Sequence, residues 1–163
     1  MTTATTPLTV TAEPGSHAVI TEREVDAPRD IVFRCYTDPT LLAKWLGPRK
    51  YGMRVEAFEP RHGGAWRYVN TDPESGMEFE FRGIFHGEPS PDRWVQTFEF
   101  LGAPGYVSLD TLELVDLGGR TLIRTTSIHQ TVEARDAMIE HGMADGMADG
   151  YSRLDELVAS LQA

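Results

Sequence analysis

Between Tyr51 and about Gln130 the chain is broken at regular intervals by clusters of turn-forming residues, and this punctuation leaves room for little except an antiparallel meander. The separators are His62-Gly63-Gly64, Asp72-Pro73-Glu74-Ser75-Gly76, Pro89-Ser90-Pro91-Asp92, Gly102-Ala103-Pro104-Gly105 and Gly118-Gly119. Glycine admits positive φ, proline presets φ, and Asp and Ser bond to their own backbone, so each cluster is turn chemistry. The intervening runs predict strands over 51–59, 64–70, 77–87, 93–101, 106–116 and 120–129. Connections this short join antiparallel neighbours, because a parallel pair needs a crossover of roughly a dozen residues or more. In the run 77–87, Phe79, Phe81 and Phe85 share one face while Glu78, Glu80 and Arg82 share the other. A sheet with one apolar and one charged face is covered on one side only. Gly83 lies on the apolar face, where the missing side chain leaves space or permits close approach.

The cover is expected from residues 131–162, read as one long helix. At about 100° per residue, Ile139, Met143, Met147, Tyr151, Leu154, Leu157, Val158 and Leu161 fall within one arc. Asp145, Asp149, Arg153 and Glu156 lie opposite. Within this helix Gly142, Gly146 and Gly150 repeat every fourth residue, at a cost of about 1 kcal/mol each relative to Ala. Thin backbone beside flexible thioethers suits an adaptable cavity wall; the alternative is a broken linker with the true helix starting near Tyr151.

Upstream, residues 1–16 are Thr-, Ala- and Pro-rich and are expected to be a flexible tail, with a single domain over 17–163. A first strand is expected over 17–25. Asp26-Ala27-Pro28 reads as a helix start with Asp26 as N-cap. Ile31, Val32, Cys35 and Tyr36 form the buried face of that helix. Thr37-Asp38-Pro39 opens a second, short helix that Gly47-Pro48 ends. The whole is α+β: a curved antiparallel sheet of about seven strands, two short helices after the first strand, and a long C-terminal helix enclosing a small-molecule cavity.

Charge and cysteine usage limit the partners. A formal net charge of -10 opposes binding to nucleic acid or to an anionic membrane surface. No apolar run approaches the roughly 20 residues of a membrane span, and the N-terminus lacks the basic start and apolar run of a secretory signal. Cys35 is the sole cysteine, which excludes an internal disulfide and favours a reducing, cytoplasmic setting; its place on an apolar helix face predicts an inert thiol.

The order Arg23-Glu24-Val25-Asp26-Ala27-Pro28-Arg29-Asp30-Ile31-Val32-Phe33, Thr37-Asp38-Pro39, Leu42, Lys44-Trp45-Leu46-Gly47-Pro48, Gly63-Gly64-Ala65-Trp66-Arg67, Gly83, Gly142-Met143, Gly150, Leu154 and Leu157 resembles the START-like (SRPBCC) helix-grip superfamily. Within it, the likeness is to the branch related to the C-terminal domain of the activator of Hsp90 ATPase, and it extends from about residue 18 to 160. The resemblance implies a β-α-α-β6-α fold with the sheet wrapped around the last helix. It implies several activities: binding of hydrophobic ligands, polyketide cyclase or aromatase chemistry, and co-chaperone-like or stress-related interaction. Members often carry a second aromatic residue beside Trp45, where this chain has Leu46.

Trp45, Trp66, Tyr68, Phe79, Phe81, Phe85, Phe98, Met143, Met147 and Tyr151 are the candidate ligand-contacting residues of the cavity, offering stacking and area to a planar, mostly apolar molecule. The alternative for each is a dry, filled core. His141, Asp145 and Asp149 stand at metal-capable helical spacing, on a face read instead as a solvated stripe. His129 ends a strand, where it would suit a cavity-facing base, with no carboxylate identifiable to orient it. No phosphate loop, HExxH, CxxC or GxSxG pattern occurs. No catalytic residue, metal or cofactor is therefore assigned. The leading expectation is binding of a hydrophobic, aromatic or polyketide-like small molecule by a non-enzymatic or weakly catalytic protein. A cofactor-independent cyclase/aromatase-type enzyme, marked by a convergent polar pair inside the cavity, is the second. An Hsp90-activator-like interaction domain is the third. A homodimer is compatible with the sequence, and no residue argues for a chaperone partner.

Overall fold

The computed structural model describes residues 7–163, and the meander expected from the turn clusters is its largest part. Eight strands form one sheet: β1 (Thr9–Thr11), β2 (Ala18–Val25), β3 (Gly52–Phe58), β4 (Ala65–Thr71), β5 (Glu78–His86), β6 (Arg93–Phe100), β7 (Val107–Asp116) and β8 (Thr121–Ile128). Their order is β1-β2-β8-β7-β6-β5-β4-β3, with neighbouring strands antiparallel. The chain leaves β2 through α1 (Arg29–Thr37) and α2 (Pro39–Leu42) and enters the meander at its far edge. After β8 come α3 (Val132–Glu140) and α4 (Met143–Gln162). This is the α+β helix-grip arrangement. Among the described residues no helix is long and apolar enough to cross a membrane.

Three sequence expectations need correction. Residues 1–16 were expected as a tail. Residues 1–6 lie outside the described residues, but Thr9–Thr11 adds an edge strand to β2, pairing Thr9 with Glu22 and Thr11 with Ile20. Three residues are too short to carry a periodic signal, and the open edge of β2 supplies the missing hydrogen bonds. Farther along, the buried Arg135 of α3 donates to the carbonyls of Glu13 (2.7 Å) and Ala18 (3.2 Å), tying this segment down.

The second correction concerns the last helix, which is broken. Gly142 has φ 85°, a left-handed conformation that glycine adopts without steric cost, and it separates α3 from α4. The four-residue glycine spacing conceals three different jobs. Gly142 breaks the helix. Gly146 is helical with open space where a Cβ would point. Gly150 packs on the link after α2, its Cβ position lying 3.4 Å from the Trp45 carbonyl oxygen. The helix does not wait for Tyr151: it starts at Met143. Tyr151, Leu154, Leu157 and Val158 are buried as the arc predicts.

The third correction is that α1 is capped by Pro28 and has no side-chain cap, so Asp26 is not its N-cap. Asp38 does cap α2, accepting from the Thr40 amide at 2.9 Å.

The core lies between α1, α4 and the concave face of the sheet, where Val25, Val32, Cys35, Leu114, Ile123 and Leu154 are buried. A charged pair spans it. Arg23 of β2 meets Asp155 of α4 through two parallel bonds of 2.8 and 2.7 Å, and its guanidinium lies 5.9 Å from the centre of the Tyr151 ring. Arg23 is only 7% exposed, so this fork fixes the angle at which α4 crosses the sheet.

Gly83 serves close approach rather than space. A Cβ there would fall well inside contact distance of the Thr97 carbonyl oxygen on β6 and of the Trp66 indole on β4. Gly83→Ala is therefore expected to destabilise the fold by about 2 kcal/mol, the usual penalty for overpacking a fitted site. Urea unfolding at equilibrium measures it; a loss below about 0.5 kcal/mol would mean that the strands can part at no cost.

Candidate functional site

The concave sheet face, the N-terminal half of α4 and the link Trp45-Leu46-Gly47-Pro48 enclose a cavity of about 450 Å³. That volume is in the range of small-molecule sites, roughly 300–1,000 Å³. Six strands contribute to its walls, in alternate residues where they contribute more than one, as the pleat requires: Phe58 from β3, Trp66, Tyr68 and Asn70 from β4, Phe81 and Phe85 from β5, and Trp94, Gln96 and Phe98 from β6. Ser108, Asp110 and Leu112 follow from β7, then Thr125 and Ser127 from β8 and His129 just after it. Gly142, Met143, Gly146, Met147, Gly150 and Tyr151 close the other side.

Of the ten residues singled out from the sequence, nine line this space: Trp45, Trp66, Tyr68, Phe81, Phe85, Phe98, Met143, Met147 and Tyr151. Phe79 does not. It sits at the start of β5, stacked on Tyr51 at 5.4 Å and leaning on Phe100 at 6.4 Å, because the inward phase of the strand outruns the cavity there. The aromatic wall is continuous. Trp66 stacks on Tyr68 (5.3 Å), Tyr68 on Phe81 (5.2 Å), and Phe81 leans on Phe98 (5.5 Å). Trp45 is anchored by donating its indole N–H to the Cys35 carbonyl at 3.0 Å, and its ring lies nearly parallel to that of Tyr151. Leu46 also lines the cavity, so the position where related proteins often have an aromatic is part of the wall.

The sequence reading missed most of the polar groups. Asp110 is 9% exposed, and its Oδ1 accepts from the Ser108 hydroxyl at 2.9 Å. Ser127, its register partner on β8, also hydrogen-bonds to it. Burial pushes the Asp110 carboxyl up to about 6, and the two hydroxyls only partly offset this. Among the described residues no Lys or Arg lines the cavity. Tyr68 is raised as well, first by burial and then by the nearby Asp110 charge. A second polar chain joins Tyr36, Tyr151 and Thr125 by side-chain hydrogen bonds.

His129 does line the cavity. It is 7% exposed, and its Nε2 has no hydrogen-bond partner among the described residues. Burial, then the Arg135 charge, holds its pKa below the ordinary imidazole value, which favours the neutral ring. The signal for Asp110 was present in the sequence. It shares strand phase with Leu112 and Leu114, an acid on an apolar face, but the opposite phase also carries Val107, Leu109 and Val115. Periodicity alone could not say which face was inside.

Other candidates resolve simply. His141 belongs to the C-terminal cap of α3 and Asp145 to α4, so the break at Gly142 separates what a continuous helix would align. Asp149 accepts from the Arg49 amide at 2.6 Å. Among the described residues no group of three or more His, Cys, Asp or Glu side chains gathers as a metal site. Burial raises the Cys35 thiol to about 11, which keeps it protonated and unreactive at neutral pH.

Comparison with known proteins agrees with this architecture. The family described as Activator of Hsp90 ATPase homolog 1-like protein matches residues 26–159. A protein of solved structure from Rhodobacter sphaeroides is 29% identical, with a TM-score of 0.86 over 95% of this chain and 99% of that one. One from Arthrobacter aurescens is 26% identical, with a TM-score of 0.84 over 93% and 91% of the two chains. CalU16 from Micromonospora echinospora, at 19% identity and a TM-score of 0.56 over 96% and 87%, shares the fold alone. No curated protein matches.

Proposed function

As this chain belongs to the Activator of Hsp90 ATPase homolog 1-like family, which matches it from residue 26 to 159, we propose that it binds a hydrophobic, aromatic small molecule between its sheet and α4. The observation that carries this reading is the cavity of about 450 Å³ with a continuous aromatic wall from Trp66 to Phe98. Stacked rings and thioethers give a planar ligand contact area without fixing its identity. Gly146 adds a discriminating feature, since its missing side chain opens directly onto the space.

The test uses N-phenyl-1-naphthylamine, a neutral aromatic dye that brightens in apolar surroundings. The wild-type protein is expected to bind it saturably. Trp66→Asp and Met147→Asp should abolish the enhancement, and Gly146→Leu should weaken it at least tenfold by filling the space while strengthening the helix. Gly146→Leu guards against misfolding as the cause. Full binding by a folded Gly146→Leu protein would sink the reading.

A second reading, a cyclase-like enzyme, is favoured by one observation: the interior is not all carbon, because Asp110, Ser108 and Ser127 meet at one corner and His129 also lines the cavity. Such groups can hold and move protons beside a folded chain. Turnover of a reactive polyketone chain would distinguish it from simple binding.

A further inference from the structure

The polar corner of the cavity has a charge that the protein itself does not neutralise. Asp110 is held only by hydroxyl donors, Ser108 on β7 and Ser127 on β8. Among the described residues the cavity wall contains no guanidinium or ammonium group. Elsewhere the buried charges of this chain are met: Arg23 by Asp155, and Arg135 by Asp136 and two carbonyls. A buried carboxylate without a cation is costly to keep, and near neutral pH Asp110 has largely lost its proton. Two residues past Ser127 in the same strand phase, about 7 Å along the chain, His129 presents a second polar atom, its Nε2, with no partner among the described residues.

We propose that Asp110 is the anchor for a cationic nitrogen, so that the ligand class is an aromatic amine-bearing molecule rather than a neutral or acidic one. This rests on the cavity reading above and adds its electrostatics. The ammonium supplies the countercharge that Asp110 lacks and donates to it. The aromatic body lies along Trp66, Tyr68 and Phe81, whose ring faces also attract cations. His129, which also lines the cavity, carries a buried Nε2 with no partner among the described residues as a further hydrogen-bonding position. The formal net charge of -10 acts in the same direction by drawing cations toward the protein and repelling acids.

Three probes of nearly equal shape separate these ideas: 1-naphthylmethylamine, 1-naphthalenemethanol and 1-naphthoic acid, titrated calorimetrically at pH 7.5. The amine is expected to bind about tenfold or more tightly than the alcohol, as a charge-assisted hydrogen bond should provide, and the acid more weakly than both. In Asp110→Asn, which keeps the shape of the site, amine and alcohol should bind within about twofold of each other. Equal binding of amine and alcohol by the wild type overturns the anchor while leaving the cavity reading intact. So does an amine preference that survives in Asp110→Asn. If none of the three binds, the cavity reading fails and the anchor falls with it.

Discussion

Replacing Arg23 with Ala should lower the stability of this protein by about 3 kcal/mol, and with it the melting temperature by about 6–12 °C for a chain of this size. The expectation follows from geometry. Arg23 is 7% exposed and holds Asp155 through a two-bond fork that joins β2 to α4. Removing the guanidinium leaves the Asp155 carboxylate beside a packed ring, Tyr151, and deletes the contact over that ring. Asp155 is partly exposed, its side chain at 27%, so water relieves part of the cost and the lower end of the range for buried pairs applies. The double variant Arg23→Met with Asp155→Leu should recover most of the loss, because an apolar pair avoids the desolvation of two charges. Thermal unfolding of the three proteins decides it. A single variant as stable as wild type would show that the fork contributes orientation without stability.

Asp110→Asn should stabilise the protein at pH 7.5 by about 2–3 kcal/mol and leave it unchanged near pH 3.5. The folded carboxyl titrates near 6, above the ordinary 3.8. The raised value means that the native state holds its proton more tightly than the unfolded chain does. That contribution is fully present below about 3.8 and is lost as pH rises through about 6. The full difference is roughly two pH units of linkage, about 3 kcal/mol. Wild-type stability should therefore decline across this window relative to that of the variant. Asn can still accept from the Ser108 and Ser127 hydroxyls while carrying no charge to desolvate. Urea unfolding at pH 3.5, 5, 6 and 7.5 gives the comparison, and parallel curves for the two proteins would contradict it. A gain in stability together with a loss of amine preference would identify Asp110 as a residue kept at a cost to the fold.

Much of this molecule was legible in the linear chain because its signals are local. Turn clusters need only Gly, Pro, Asp and Ser in short runs, and all six strands they bound are present. The Phe81 and Phe85 phase and the Tyr151, Leu154, Leu157 and Val158 arc each report one element's own buried face. Phe81, Phe85, Met143, Met147 and Tyr151, which lie on those same faces, line the cavity, while the wall residues Tyr36, Phe58, Trp94 and Met138 were not singled out. What the chain could not announce depends on partners distant in sequence. Strand β1 exists because β2 has an open edge and Arg135 holds Glu13 from 122 residues away. The glycine spacing fitted an unbroken helix, and only the packed chain shows Gly142 turning left-handed while Gly150 meets the Trp45 backbone. Asp110 lay on a strand with apolar residues in both phases, so burial was decided by neighbours on β6 and β8. Sequence alone determined a one-faced sheet with a helix to cover it. The tertiary structure decided that the covered space contains a carboxylate and, among the described residues, no Lys or Arg, because which side chains share a cavity depends on how six strands align across the sheet.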